Sequence, residues 1–160
     1  MIQVIGRTAR WLIAVLLGAV MAACSADTLG IEFAALVRPT TPNSYLVCPA
    51  DRCAATADAL GPVYAIPAAE LFGRIRTILS TEPRTRVVQD QPERLRLVLV
   101  QRSRIFRFPD TITVQLFPLP DGGAALAMYS HSNYGRSDLG VNKERVQRWL
   151  SLIDAEVARL

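Results

Sequence analysis

Apolar residues recur at helical spacing in two stretches of the chain. Leu71, Phe72 and Ile75 begin one stripe, and Pro67 stands where a helix can start. The spacing predicts a helix over 67–80, closed by Glu82-Pro83. A second stripe, at positions i, i+3, i+4, i+7, i+11 and i+14, predicts an amphipathic helix at the carboxyl end. Its residues are Val146, Trp149, Leu150, Ile153, Val157 and Leu160.

Apolar and polar residues alternate with period two between these stripes, which is typical of half-buried strands. A short strand is also predicted at 61–66, and turns are predicted at Pro109-Asp110 and 118–123. The order β-α-β-β-β-β-α indicates an α+β fold: an antiparallel sheet of about four to five strands with two helices packed on one face. The four strands between the helices are expected at 84–90, 94–101, 111–116 and 124–131.

The first 23 residues are typical of an export signal, with Arg7 and Arg10 ahead of the apolar run Trp11–Ala23. That run is too short to span a bilayer comfortably. It ends in Val-Met-Ala-Ala followed by Cys24, which resembles the signal of a bacterial lipoprotein. We expect lipidation of Cys24; ordinary cleavage, for instance after Ala26, is the alternative.

The rest of the chain is expected to form a tether over 24–45 and a single α+β domain over 46–160. Within the tether, 31–37 could pack on the domain or form a stray strand. Ser25 follows the cysteine in place of aspartate, which favours the outer membrane over the inner one. The predicted location is the cell envelope, with the domain facing the periplasm.

Cysteine usage agrees with export. Lipidation of Cys24 leaves Cys48 and Cys53 as an even pair, which predicts a disulfide in an oxidising compartment. The spacing is not that of a thioredoxin-like redox motif. His131 is the only histidine, so a metal site is poorly supplied, and no metal or cofactor is expected.

The charge balance does not indicate nucleic-acid binding. Without Arg7 and Arg10 the formal net charge falls from +4 to +2. Arginines at alternate positions predict a charged sheet face, which is either a solvated surface or a contact for anionic lipid headgroups. These arginines are Arg94, Arg96, Arg102 and Arg104.

The connection 129–146 crowds hydroxyls, glycines and charges between the last strand and the last helix. One interpretation is a turn and helix start, with Asn142 as the N-cap, or Asp138 or Ser137 if the helix begins earlier. A second is an anion-binding corner in which Arg136 and Arg145 flank the helix N-terminus. The donors beside them would be Ser130, Ser132 and the Gly140 backbone.

A third interpretation is a small hydrolase-like enzyme that uses carboxylates near Asp110 and Asp138. Adjacent strand residues point to opposite faces, so His131 cannot serve as a base for Ser130 or Ser132 while the strand is regular. The candidate binding residues are therefore Asp110, Ser130, Ser132, Arg136, Asp138, Asn142 and Arg145.

The same residues carry a resemblance over 105–150 to the proteins grouped as domain of unknown function 1499. It rests on a Phe-Pro-Asp motif, a serine-rich strand end and a Gly-x-x-Asp-x-Gly-x-Asn-x-x-Arg pattern. In this chain these are Phe108-Pro109-Asp110, Ser130, Ser132, Gly135, Asp138, Gly140, Asn142 and Arg145. Members often carry arginine where this chain has Asn133. The resemblance implies an exported or membrane-associated bacterial protein and no known chemistry.

Taken together, these patterns predict a lipid-anchored envelope protein that binds an anionic ligand or an envelope protein partner without catalysis. The alternatives are the hydrolase-like enzyme and a purely structural envelope protein.

Overall fold

Seven strands and two helices make up the domain in the computed structural model, which describes residues 30–160. Short 3₁₀ turns lie at Phe33–Ala35 and Pro92–Arg94. The strands and helices, in chain order, are β1 (Ser44–Cys48), β2 (Ala59–Leu60), β3 (Val63–Tyr64), α1 (Ala68–Ser80), β4 (Thr85–Gln91), β5 (Arg96–Arg102), β6 (Pro109–Pro118), β7 (Ala124–Ser132) and α2 (Val141–Val157).

All seven strands belong to one sheet in the order β2-β1-β7-β6-β5-β4, with β3 pairing with the start of β7. The pairing is antiparallel except between β1 and β2. The consecutive strands β4 to β7 form the continuous part, in which Leu99 of β5 lies opposite Ile112, and Val114 of β6 lies opposite Met128. The chain therefore has the predicted α+β class, with more strands than expected.

Both helices pack on the same face of this sheet, as the apolar stripes predicted. Helix α1 buries Leu71, Ile75 and Leu79, and α2 buries Trp149 and Ile153. These side chains form one core with the sheet residues that point toward them. Leu160, expected on the second stripe, follows the end of α2 and is exposed. The sheet side of this core consists of Val47, Leu97, Leu99, Ile112, Val114, Leu116, Leu126 and Met128.

The opposite face of the sheet is partly covered by the chain that precedes β1. Phe33 and Leu36 are buried against Leu46 and Tyr129. The range 31–37 thus packs on the domain, one of the two outcomes considered for it. β1 itself begins at Ser44, inside the range expected as a tether. The predicted disulfide is present and joins Cys48, the last residue of β1, to Cys53.

The prediction that four arginines line one sheet face is wrong. Arg94 lies in the 3₁₀ turn, and Leu95 takes a left-handed conformation at φ 51°, so the strand starts only at Arg96. Arg96 is buried beneath the amino-terminal segment, where it donates to the Ile31 carbonyl and forms an ion pair with Glu32 at 2.6 Å. The alternation is therefore interrupted after Arg94, and the next arginine, Arg96, is buried instead of exposed.

The turn predicted at Pro109-Asp110 is also displaced. These residues open β6, where Pro109 lies opposite Arg102 and Asp110 lies opposite Gln101. The connection between β5 and β6 is the preceding loop, 103–108. A proline at the first position of a strand is tolerated, because the ladder there needs no donor from it.

Among residues 30–160, no helix is long and apolar enough to cross a membrane. Cys24 and the predicted export signal lie outside the described residues.

Candidate functional site

A buried arginine organises the end of the domain where β6 begins and α2 starts. Arg145 points from α2 onto the sheet, and its Nη2 lies 2.6 Å from the Asp110 carboxylate. Its Nε donates to the Gln101 side-chain oxygen at 2.6 Å, and its Nη1 donates to Ser130 Oγ at 2.8 Å. Burial lowers the pKa of Arg145, while the charge of Asp110 opposes that effect. All three nitrogens of the guanidinium are thus bonded inside the domain.

Asn142 extends this arrangement from α2 to the strands and the amino-terminal segment. Its Oδ1 accepts hydrogen bonds from Ser130 Oγ and from Arg145 Nη1, both at 2.6 Å. Its Nδ2 donates to the Asn43 carbonyl at 2.9 Å and to Ser132 Oγ at 3.1 Å. The side chain is completely buried. Together with Asp138, which contacts Asn142, these groups form what we call the polar network: Gln101, Asp110, Ser130, Ser132, Asp138, Asn142 and Arg145.

Asp138 caps the N-terminus of α2 with its side chain. Its carboxylate accepts hydrogen bonds from the backbone N–H of Gly140 at 3.0 Å and from that of Asn142 at 2.8 Å. A further hydrogen bond, at 2.6 Å, comes from the Asn142 amide. Gly140 occupies the N-cap position with φ 84°, a conformation that glycine adopts readily. The interpretation of Asn142 as the N-cap is therefore wrong. Its side chain belongs to the polar network, while the Asp138 carboxylate accepts the hydrogen bonds of the first backbone N–H groups of the helix.

The structure separates the residues of the predicted anion-binding corner. Ser130, Asn142 and Arg145 are buried and bonded to one another, and the Asp138 carboxylate already occupies the helix N-terminus. Arg136 is exposed. An anion at the helix N-terminus would have to displace a carboxylate of the chain itself.

His131 lies on the opposite sheet face from Ser130, as the strand alternation predicted. Its ring stacks on Tyr129 with the ring centroids 5.2 Å apart. Burial lowers the pKa of His131, partly offset by a backbone hydrogen bond and by the charge of Asp110. The histidine is therefore turned away from the serines.

An open apolar cavity of about 460 Å³ lies next to the polar network, between the loop 103–108 and the residues around the connection 133–140. Asp110, Ser132 and Asp138 contribute to its lining and join it to the network. We call this space the apolar cleft. Its apolar lining consists of Ile105, Phe106, Phe108, Tyr134, Leu139 and Val141.

These apolar side chains point outward to an unusual degree. Leu139 is 93% exposed, Ile105 is 78% exposed and Phe106 is 73% exposed. Phe108 stacks on Phe106 at 5.8 Å between ring centroids and lies 6.5 Å from the ring of Tyr134, so the aromatic rings bridge the two segments. Large apolar groups gathered at the surface are typical of interaction sites.

Local hydrogen bonds fix the shape of the loop 103–108. The backbone N–H of Ser103 donates to the Phe108 carbonyl at 2.9 Å, and the Phe108 N–H donates to Ser103 Oγ at 3.0 Å. Arg107 and Leu139 both have positive φ, 59° and 53°, which side-chain-bearing residues adopt at some cost. Each segment thus contains one side-chain-bearing residue in a backbone conformation that such residues seldom adopt.

Three arginines lie in the two segments that border the apolar cleft. Arg104, Arg107 and Arg136 are exposed, and across residues 30–160 none of them forms a salt bridge. The two carboxylates in the cleft lining are already bonded to Arg145 and to the start of α2. The two segments therefore expose apolar and cationic side chains, while Glu144 is an exposed acidic residue in the first turn of α2.

The residues predicted from the sequence to form a site do not include Ile105, Phe106, Phe108, Tyr134 or Leu139. The available signal was the placement of large apolar residues in segments with no predicted helix or strand, where a polar composition is normal. Of the predicted binding residues, Asp110, Ser132 and Asp138 line the apolar cleft.

The fold and this site define a small α+β domain with a polar network beneath an exposed apolar surface. No group of three or more histidine, cysteine, aspartate or glutamate side chains within residues 30–160 could hold a metal ion. The family model described as "Protein of unknown function (DUF1499)" matches residues 37–153, and the chain belongs to this family.

No curated protein matches the chain. Among solved structures, the chain is similar to a Thermobifida fusca protein determined by solution NMR, with 12% sequence identity and a TM-score of 0.39. That match covers 63% of this chain and 78% of the other.

Proposed function

We propose that this protein is a noncatalytic binding module of the cell envelope, held at the outer membrane by a lipid on Cys24. The observation that carries the proposal is the apolar cleft, where six apolar side chains lie exposed next to the polar network. The occupant is an apolar or amphipathic component of the envelope. A mixed apolar and polar lining of this kind is the usual composition of a binding site.

Export and anchoring rest on two features of the chain. The apolar run ends immediately before Cys24, as in lipoprotein signals. The disulfide between Cys48 and Cys53 is of the kind that persists in oxidising compartments such as the periplasm. Ser25 after the anchored cysteine favours the outer membrane.

Binding fits the site better than hydrolysis does. Asp110 and Asp138 both line the apolar cleft, so the carboxylates considered for catalysis do share a cavity. However, Asp110 is paired with Arg145, and Asp138 accepts three hydrogen bonds from the start of α2. A carboxylate that transfers protons must be free to reach substrate, whereas these two hold the domain together.

A purely structural role leaves the exposed surface unexplained. The core and the polar network are complete without Leu139, Ile105 or Phe106, because these side chains are mostly in solvent. Leaving such groups in water gains nothing for folding, and their clustering is what an interaction surface requires.

A photocrosslinking amino acid at Leu139, in the full chain expressed in cells, tests the proposal. Leu60 is the matched control because it is also a leucine and is 76% exposed, but lies in β2 away from the apolar cleft. We expect an envelope component to be crosslinked at Leu139 and not at Leu60. The product should disappear in Phe106→Asp, which places a charge in the apolar cleft.

Equal crosslinking at both positions, or none at Leu139, contradicts the proposal. The anchor is checked separately by mass spectrometry of the mature amino terminus. An unmodified terminus at Asp27 would contradict lipidation of Cys24, and Cys24→Ala should leave the chain unprocessed or soluble.

A further inference from the structure

We infer that the apolar cleft binds an anionic phospholipid bilayer, whose surface is contacted by the loop 103–108 and the connection 133–140. These two segments are called the tip below. The inference rests on the proposed lipid anchor and adds a second contact with the membrane that carries it.

The first support is the chemistry of the apolar side chains. Phe106, Ile105 and Leu139 project from the tip with little contact to the rest of the domain. Tyr134 adds a ring with a polar end, the kind of side chain that prefers the boundary between lipid and water. Apolar groups of this kind can enter the headgroup region without any change in the fold beneath them.

The second support is the placement of positive charge. Arg104 and Arg107 bracket Ile105 and Phe106 in the chain, and Arg136 follows Tyr134 by two positions. None of the three arginines has an acidic partner among the described residues. A long arginine stem lies along apolar surface while its head meets phosphate. Each arginine near an anionic surface is expected to favour contact about fivefold, so three give about 100-fold.

The third support is the distance to the predicted anchor. Cys24 precedes Gly30 by six positions, a length of chain that spans at most ~20 Å. A side chain at Gly30 would touch Val98, which lies four positions before the end of β5 at Arg102. Four strand residues extend ~13 Å, and the tip begins immediately beyond. An anchor in the bilayer therefore keeps the tip within reach of the same surface.

A bilayer fits this surface better than a protein partner does. Three exposed arginines lie in the same two segments as the apolar side chains, and the two carboxylates of the cleft lining are engaged within the domain. The groups left to contact a partner are the apolar side chains and the arginines. Anionic lipid headgroups can pair with the arginines, and acyl chains can contact the apolar side chains. The anchor also raises the local concentration of the tip at that surface without any further contact.

Fluorescence quenching in reconstituted vesicles tests the inference. The full chain is expressed, purified in its mature form and reconstituted into vesicles of phosphatidylcholine, with or without phosphatidylglycerol. Phe106→Trp reports on the tip, and Leu60→Trp is the matched control at another exposed apolar position. The unsubstituted chain supplies the background of Trp149, which is fully buried.

We expect brominated acyl chains to quench the tryptophan of Phe106→Trp in phosphatidylglycerol vesicles and to leave that of Leu60→Trp unquenched. Adding Arg104→Gln, Arg107→Gln and Arg136→Gln to the reporter should lower the ratio of inserted to free tip about 100-fold. High salt should act in the same direction. Equal quenching at both positions, or quenching unaffected by phosphatidylglycerol and by the three substitutions, overturns the inference.

Vesicle flotation separates this inference from the proposed function. A chain that floats with vesicles but keeps the tryptophan of Phe106→Trp unquenched refutes the tip contact and leaves the anchor intact. An unlipidated chain that floats only with phosphatidylglycerol, with its reporter quenched, refutes the anchor and supports the tip. An unlipidated chain that does not float refutes both. A crosslink from Leu139 to a protein, with an unquenched reporter, assigns the cleft to that protein and overturns the bilayer contact.

Discussion

Replacing Asp110 by alanine should strongly destabilise the domain. The Asp110 carboxylate lies 2.6 Å from Arg145 Nη2, and the two side chains are only 6% and 3% exposed. The substitution leaves a guanidinium buried without its counter-charge. Breaking a buried ion pair from one side typically costs ~3–5 kcal/mol. A domain of this size has a free energy of unfolding of ~5–15 kcal/mol in total, so the loss is a large fraction of it.

The expected cost lies toward the lower end of that range. Gln101, Ser130 and Asn142 still accept hydrogen bonds from Arg145 after the substitution, so only one of its donors loses its partner. These acceptors are neutral, however, and do not balance the charge. The double substitution Asp110→Ala with Arg145→Met removes both charges and should recover part of the loss.

Asp90 provides a control with the same distance between the charged groups and different burial. Its ion pair with Arg76 also has an N–O distance of 2.6 Å, but the side chains are 58% exposed for Arg76 and 26% exposed for Asp90. Solvent screens such a pair, so Asp90→Ala should cost less than about 1 kcal/mol. Burial, and not the distance between the charges, decides the difference between the two variants.

Urea denaturation of the disulfide-intact protein, followed by circular dichroism, measures both free energies of unfolding. Thermal melting should show Asp110→Ala about 10 °C or more below the unsubstituted chain. The reasoning is refuted if Asp110→Ala is no less stable than Asp90→Ala.

Three further predictions concern single features. Asp138→Ala should cost ~0.5–2 kcal/mol by uncapping α2, while exposed Arg136→Ala should leave the melting temperature unchanged; equal melting curves would contradict the capping role. Losing the disulfide through Cys48→Ala with Cys53→Ala should cost toward the lower end of ~2–4 kcal/mol, since the closed loop is short, and rapid thiol trapping should label neither cysteine in the native envelope protein. Burial lowers the pKa of His131, so the folded state favours the neutral ring. The free energy of unfolding should therefore keep the contribution of His131 above about pH 6.5 and decrease as the pH drops toward the lowered pKa. His131→Gln should flatten that part of the pH profile measured by urea denaturation, and an unchanged profile would contradict the prediction.

The main sheet and both helices could be predicted because their periodicities are regular. Ile112 and Val114 alternate with polar residues, and the stripes on α1 and α2 follow helical spacing. β1 could not be recognised in the same way. Leu46 faces one covered side of the sheet and Val47 the other, so both are buried and no alternation marks the strand. Two-residue strands such as β2 leave no pattern at all.

The polar network could have been partly predicted from the stripe on α2. Asn142 and Arg145 precede Trp149 by seven and four positions, so they share its face of the helix and are buried with it. Because both residues are polar, they were predicted to bind a ligand and not to be buried. The partner of Arg145 could not be identified by spacing, because the approach of Asp110 depends on the pairing of β6 with its neighbours.

On the proposed function, the polar network supplies stability and the tip supplies the binding surface. Arg145 and its partners tie the start of β6, the end of β7 and the start of α2 together, and so fix the points from which the loop 103–108 and the connection 133–140 leave the sheet. The apolar side chains that those segments carry are mostly in solvent, so the fold gains little from them. A fixed base lowers the cost of ordering an exposed surface when it meets its partner, because the backbone is already in place. Leu139 and Phe106 can therefore be specialised for contact, while the residues beneath them maintain the shape that makes contact possible.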